Sequence, residues 1–228
     1  MSTPQGVRAG EPSHREPSDV ADAEVESDQP SDVADAEVEP DGGAPAVAEL
    51  DPETRARRDA ALREVRRFGD PVLRTRALAV ERFDERLRSE VERMGLVMSD
   101  ALGIGLAATQ VGVLHRVLVY RVQAESPIAA LVNPRIEWVA DELETMEEGC
   151  LSLPTVHVEV ERPLHVRVSA LDAAGDRLSI EASGLEARVI QHELDHLDGV
   201  LILDRISRER RKEAMRTMRE AQRASAAA

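Results

Sequence analysis

The stretch Gly184-Leu185-Glu186-Ala187-Arg188-Val189-Ile190-Gln191-His192-Glu193-Leu194-Asp195-His196-Leu197-Asp198-Gly199 carries the pattern that organises this chain. Val189, Ile190, Leu194 and Leu197 recur at helical spacing, and Asp198-Gly199 is a stop signal, so a helix is expected over Leu185–Leu197. Residues four apart on a helix share a face, so His192 and His196 can reach one ion. Glu193 is offset by about 100° around the axis, beside that ion and free to handle protons. A surface helix with two unrelated histidines is the rival reading. The apolar girth of the segment opposes it, because buried imidazoles need partners and a metal is the economical one.

A catalytic metal site needs a third protein ligand and one open position. Downstream of His196 there is no histidine; the nearest acids are Asp198 and Asp204. Upstream, the single cysteine, Cys150, lies in Glu147-Glu148-Gly149-Cys150-Leu151-Ser152 and would bind a divalent ion strongly as a thiolate. His157 is a fourth candidate, though a histidine opening a strand is more often simply exposed.

Strand-like runs at Val117–Val122, Ala130–Val132, Val156–Val160, Leu164–Leu171 and Leu178–Ala182 precede the motif helix, several alternating apolar and polar residues. Ala173-Ala174-Gly175-Asp176 reads as a hairpin connection. Helices are expected at Glu53–Arg67, Asp84–Ala101 and Ser207–Arg223. Strands gathered around one apolar helix give an α+β fold, with antiparallel or mixed β-sheets packed around the central HExxH helix and a C-terminal helix. With four aromatics in 228 residues, the core must be aliphatic.

Composition narrows the function. One cysteine rules out an intrachain disulfide framework and a cysteine-rich zinc finger. No apolar run is long enough for a transmembrane helix, so no membrane association is expected. The net charge of −15 argues against non-specific nucleic-acid binding, DNA included. That charge is concentrated at the front: residues 1–50 hold thirteen acids against Arg8 and Arg15. They also contain PSDVADAEVE twice, at Pro17–Glu26 and Pro30–Glu39. Ala and Val bury too little area to order such a segment, so residues 1–50 read as a disordered acidic extension. It is either a solubilising extension or a recruiter of a basic partner. It lacks the features of a secretory signal or transit peptide, and a cytoplasmic location is expected. Residues 51–206 then form the catalytic domain, and 207–228 a basic helix and tail with seven Lys/Arg against three acids.

Three segments in this order resemble peptide deformylase: Gly103-Ile104-Gly105-Leu106-Ala107-Ala108-Thr109-Gln110, Glu148-Gly149-Cys150-Leu151-Ser152 and Gln191-His192-Glu193-Leu194-Asp195-His196. Gly69-Asp70-Pro71-Val72-Leu73-Arg74 is similar to the family's usual opening, and the resemblance spans about residues 63–205. It implies β-sheets about the motif helix and removal of the formyl group from the N-terminal formyl-methionine of nascent polypeptides. By position it implies Cys150, His192 and His196 as metal ligands and Glu193 as general acid/base. Gln110 and the Leu151 N–H would form the oxyanion site, and Ile104, Gly105, Glu148 and Gly149 would line the substrate cleft. It implies Fe²⁺ in the cell, with Zn²⁺, Ni²⁺ or Co²⁺ acceptable in isolated protein. The basic helix is then either a ribosome-docking element, as in some bacterial members, or a solvated helix packed on its own domain.

Residue chemistry is consistent with this. Gly103-Ile104-Gly105 lets a substrate backbone approach and pair as an added strand; a phosphate-binding loop is disfavoured because Gly103–Gln110 lacks the required lysine. Two departures stand out: after Ser152 the chain runs Leu153-Pro154-Thr155-Val156-His157, where many relatives place glycine or arginine soon after the proline, and Arg188 puts a charge near the start of the motif helix. A protease cutting internal peptide bonds and a non-catalytic ribosome-associated module are the competing readings.

Overall fold

The computed structural model describes residues 50–227. The acidic extension expected over residues 1–50 lies, but for its last residue, outside the described residues. Among the described residues, four α-helices and seven strands run in the order α1 (Pro52–Glu64), α2 (Glu85–Asp100), β1 (Gly105–Ala107), β2 (Val117–Tyr120), β3 (Ala129–Val139), β4 (Leu143–Cys150), β5 (Leu153–Pro163), β6 (His165–Leu171), β7 (Arg177–Ser183), α3 (Gly184–Leu197) and α4 (Arg208–Ala227). No helix among the described residues is long and apolar enough to cross a membrane.

The strands form two sheets, one of five strands in the order β1-β2-β3-β6-β7 and one of two, β4-β5, with every pairing antiparallel. Alternation along β2 explains the layering. Val117 and Val119 join the cluster built on Met94, Val97 and Met98 of α2, whereas Leu118 and Tyr120 join that of Ala187, Ile190, Leu194 and Leu197 of α3. Successive side chains of a strand point to opposite faces, so one four-residue strand holds a helix on each side. The five-stranded sheet is thus a filled layer, and α3 lies between it and the β4–β5 pair. A third cluster joins Val156, Val158 and Val160 of β5 to Met218 of α4 and to Leu201, Ile202 and Leu203.

The capping chemistry fits the helix starts. Asp84 accepts from the N–H groups of Arg86 and Leu87 at 3.0 and 3.3 Å, and Asp51 caps α1 through Glu53 and Thr54, both at 3.0 Å. α1 stops at Glu64, before the expected Arg67, because Val65 turns extended and buries its side chain. The following residues cross to the motif loops: Arg66 N–H donates to Gln110 O at 2.7 Å, and Phe68 N–H to Ser152 O at 2.9 Å. α4 is one residue late at its start and longer than expected. One face, with Ala214, Met215 and Met218, packs on its own domain.

Two further differences from expectation have physical causes. β3 runs on to Val139, past the expected end at Val132 and through Asn133-Pro134; Asn133 takes φ +54° and its side chain bonds both Val80 N and Val80 O, at 2.8 and 2.9 Å, so a bulge absorbs the proline. β4 was not expected, since its side chains are mostly exposed and carry no apolar alternation. Thr155 has φ +65°, a region that suits glycine and that a β-branched residue enters at a cost of about 1–2 kcal/mol. The departure at Pro154-Thr155 therefore falls where a glycine would relieve strain.

Candidate metal centre

α3 places His192, Glu193 and His196 as the helical spacing requires. Cys150, at the end of β4, comes to them from the other sheet. One donor atom each from Cys150, His192 and His196 lies within 4.8 Å of the other two, and Cys150 Sγ is 3.2 Å from His196 Nε2. A register shift between Gly149 and Cys150 breaks the β4–β5 ladder, so Leu151 and Ser152 form the turn beside the thiol. His157 remains outside: it sits across the ladder from Gly149, exposed, with Glu147 3.5 Å away.

The side chains around the three donors fit a cation. Glu148 Oε2 is 3.0 Å from His192 Nδ1. A carboxylate there holds the ring as the Nδ1–H tautomer and leaves Nε2 free to bind a metal. Although burial opposes its ionisation, hydrogen bonds from His192 and Arg162 hold the Glu148 carboxyl down at about 2. His196 is kept neutral, with burial and the neighbouring His192 pushing it well below the usual histidine range. His192 is raised despite its burial, chiefly by Cys150 and Glu148, so loading a cation displaces a proton there. Two neutral imidazoles and one thiolate form a donor set suited to a divalent transition ion.

Glu193 is 3 % exposed, and its Oε2 has no hydrogen-bond partner among the described residues. Burial pushes its pKa up to about 7. A buried carboxyl oxygen with nothing to bond is costly for stability and is what a proton-transfer group needs. Gly105 shows why the neighbouring position has no side chain. A Cβ there would overlap Glu193 Oε1 and lie 2.9 Å from Val189 Cγ1.

Gln110 comes from the single 3₁₀ turn after β1 and is 1 % exposed. Its Oε1 accepts from Ala107 N–H at 2.9 Å, which leaves Nε2 directed to Cys150 Sγ at 3.7 Å and Ser152 Oγ at 3.3 Å. The donor end of the amide therefore faces the thiol. Leu151 is half-buried and its side chain abuts Gly103, where a Cβ would lie 3.0 Å from Leu151 Cδ1. Ile104 is 44 % exposed beside it. Gly149 faces His157, which a Cβ would approach to 3.3 Å.

Glu148, expected along the substrate cleft, is instead buried beneath His192. Arg162 grips it with Nε and Nη2 at 2.6 and 3.0 Å, and Arg188 Nη1 donates to its Oε1 at 2.9 Å. Arg162 and Arg188 were missed as site residues. Their partners lie 14 and 40 residues away in sequence, and such ion pairs leave no local pattern.

A family model described as polypeptide deformylase matches residues 62–212. A peptide deformylase of Treponema pallidum (strain Nichols) is 46% identical over 153 residues, covering 67% of this chain and 93% of that protein. The Thermotoga maritima peptide deformylase is 48% identical over 143 residues, 63% of this chain and 86% of that one. The crystal structure of a Legionella pneumophila peptide deformylase aligns with TM-score 0.68 at 37% identity, over 71% of this chain and 96% of that one. That of the Synechococcus elongatus enzyme in complex with actinonin aligns with TM-score 0.64 at 44% identity, over 66% and 84%. With the thiol, the two imidazoles and the buried glutamate drawn together from two separated motifs, and with these relatives, the chain belongs to the polypeptide deformylase family.

Proposed function

We propose that Cys150, His192 and His196 hold one divalent cation, Fe²⁺ in the cell, and that Glu193, Gln110 and Leu151 perform the hydrolysis beside it. The reaction is that of the family: removal of the N-terminal formyl group of formyl-methionyl polypeptides, with release of formate. The observation that carries the assignment is the convergence of three donor atoms on one point next to a buried, unpartnered carboxyl oxygen. When bound, such an ion supplies Lewis acidity, easing loss of a proton from water and polarising the formyl carbonyl.

Glu193 accepts a proton from the attacking water and later delivers it to the leaving amine. Its burial keeps both protonation states within reach near neutrality. The Gln110 Nε2–H, aimed at the site by its bond to Ala107, and the Leu151 N–H donate to the oxygen that gains charge in the transition state. Donors of this kind are each worth about 3 kcal/mol. Gly103–Gly105, with Ile104 and Gly149, offers an open backbone against which an extended formyl-Met peptide pairs.

Zn²⁺, Ni²⁺ and Co²⁺ suit the same donors. An acidic extension at 1–50, a catalytic domain at 51–206 and a basic helix and tail at 207–228 are the functional divisions of a cytoplasmic enzyme acting as chains emerge. Arg208, Lys212, Arg216, Arg219 and Arg223 are exposed on α4, which supports docking on an RNA-rich ribosomal surface. Protein purified without oxygen should contain about one iron per chain and release formate rapidly from a formyl-Met peptide. Cutting of unformylated peptides at internal bonds would support the protease reading instead.

A further inference from the structure

The thiol and the imidazoles reach the centre on different bodies. Cys150 ends β4, in a two-stranded sheet that shares no strand with the five-stranded one, whereas His192 and His196 belong to α3. The gap between sulfur and nitrogen is therefore set by side chains that cross from α3 to β4–β5. We propose that Arg188 is the positioning residue that fixes this gap and so sets metal affinity; the assignment rests on the metal reading above.

Arg188 lies one turn before His192 on α3, on the same face, and is 5 % exposed. Its Nη1 donates to Glu148 Oε1 and to Val160 O, both at 2.9 Å, and its Nη2 to Glu144 O at 2.7 Å. One guanidinium thus binds β4 at two residues and β5 at one. Two of the three acceptors are backbone carbonyls, which do not shift with a rotamer. The third, Glu148, is the same carboxylate that holds His192 Nδ1. Arg162, itself on β5, reaches Asp195 Oδ2 of α3 at 2.9 Å, side chain to side chain, and Gln191 of α3 donates from Nε2 to Pro163 O at the end of β5, also at 2.9 Å. Of these three, Arg188 alone bonds the backbone of β4, the strand that carries the thiol.

Stability does not account for the residue. Its Nε is buried without a partner among the described residues, and apolar replacements of buried ionic groups are often neutral or stabilising. What an apolar side chain cannot supply is three directed bonds from a planar fork.

The test compares full-length wild type, Arg188→Met, Arg188→Lys and, as a remote control, Leu87→Ala in the core of α2, each loaded with Co²⁺. Affinity is read by chelator competition, and the thiolate-to-cobalt absorption band reports the sulfur. Arg188→Met should weaken Co²⁺ binding about 10–100-fold and diminish that band. Arg188→Lys, which keeps the charge but not the fork, should lose about 3–10-fold. Leu87→Ala should lower the melting temperature and leave Co²⁺ affinity unchanged. Arg188→Met affinity within about twofold of wild type with an unaltered band would overturn the proposal. Equal weakening in Leu87→Ala would do the same, by making the effect one of general destabilisation. Should Arg188→Met not fold, undiminished affinity in Arg188→Lys overturns it. Wild-type protein that binds no Co²⁺ would instead remove the metal reading itself.

Discussion

Two sides of α3 hold the same helix by different physics. Toward the five-stranded sheet it presents Ala187, Ile190, Leu194 and Leu197, buried among Leu118, Leu131, Val166 and Val168. Toward β4–β5 it presents Arg188, His192 and Asp195, held by Glu148, Arg162 and backbone carbonyls. The first contact is non-directional and tolerates small shifts; it supplies stability roughly in proportion to area. The second is directional, contributes little net stability and fixes orientation. Between them lie Val189, Glu193 and His196, the strip that meets the site. The contrast teaches that stability and site geometry are separable in this fold, even within a single helix.

Substitutions on each strip test that separation. Glu193→Gln should lower the rate of formate release by about 10³-fold while metal content and melting temperature hold; a fall in stability with the rate preserved would reverse the roles given to the strips. Leu194→Ala, on the aliphatic side, should cost about 2–5 kcal/mol in urea denaturation yet leave the rate per folded molecule near wild type. Gly105→Ala sits at the boundary, where its methyl must displace Glu193. A cost of about 1–3 kcal/mol is expected, appearing as a rate loss of about 10–100-fold with binding of formyl peptide less affected.

The smallest effect concerns the ionic periphery. Burial alone would raise the pKa of Asp204, but the Arg74 hydrogen bond, the Leu201 N–H and the charge of Arg211 together lower it. A lowered carboxyl pKa means stability that is present above the ordinary aspartate value and lost as pH falls through the folded-state value. Wild type should therefore exceed Asp204→Asn in stability at neutral pH by about 1 kcal/mol or less, since the pair is partly solvated. Melting curves at decreasing pH should show that gap close below about pH 4. A gap that widens in acid would contradict the sign.

The same division decides what could be read from the sequence. Aliphatic packing repeats with the helical period, so α3 and its end at Asp198-Gly199 were legible, as were α2 and the alternating β5–β7 region. Directional contacts carry no period. Cys150 was recognisable only with its neighbours, and Glu148 fell in the right segment but with its carboxylate turned inward to His192 rather than to the cleft. Arg188 stood out merely as a charge in an apolar helix. β4 was invisible because its side chains are mostly exposed and, among the described residues, it pairs with β5 alone. Conversely, the family resemblance implied Gly105 as a cleft residue, but its close approach to Glu193 needed the fold.

X-ray absorption at the metal edge of the loaded full-length protein tests the central claim most directly, with Cys150→Ala measured beside it. One sulfur and two imidazole nitrogens about a single ion, with the sulfur lost in Cys150→Ala, is the predicted result. A wild-type spectrum without sulfur, or one unchanged by Cys150→Ala, would contradict it.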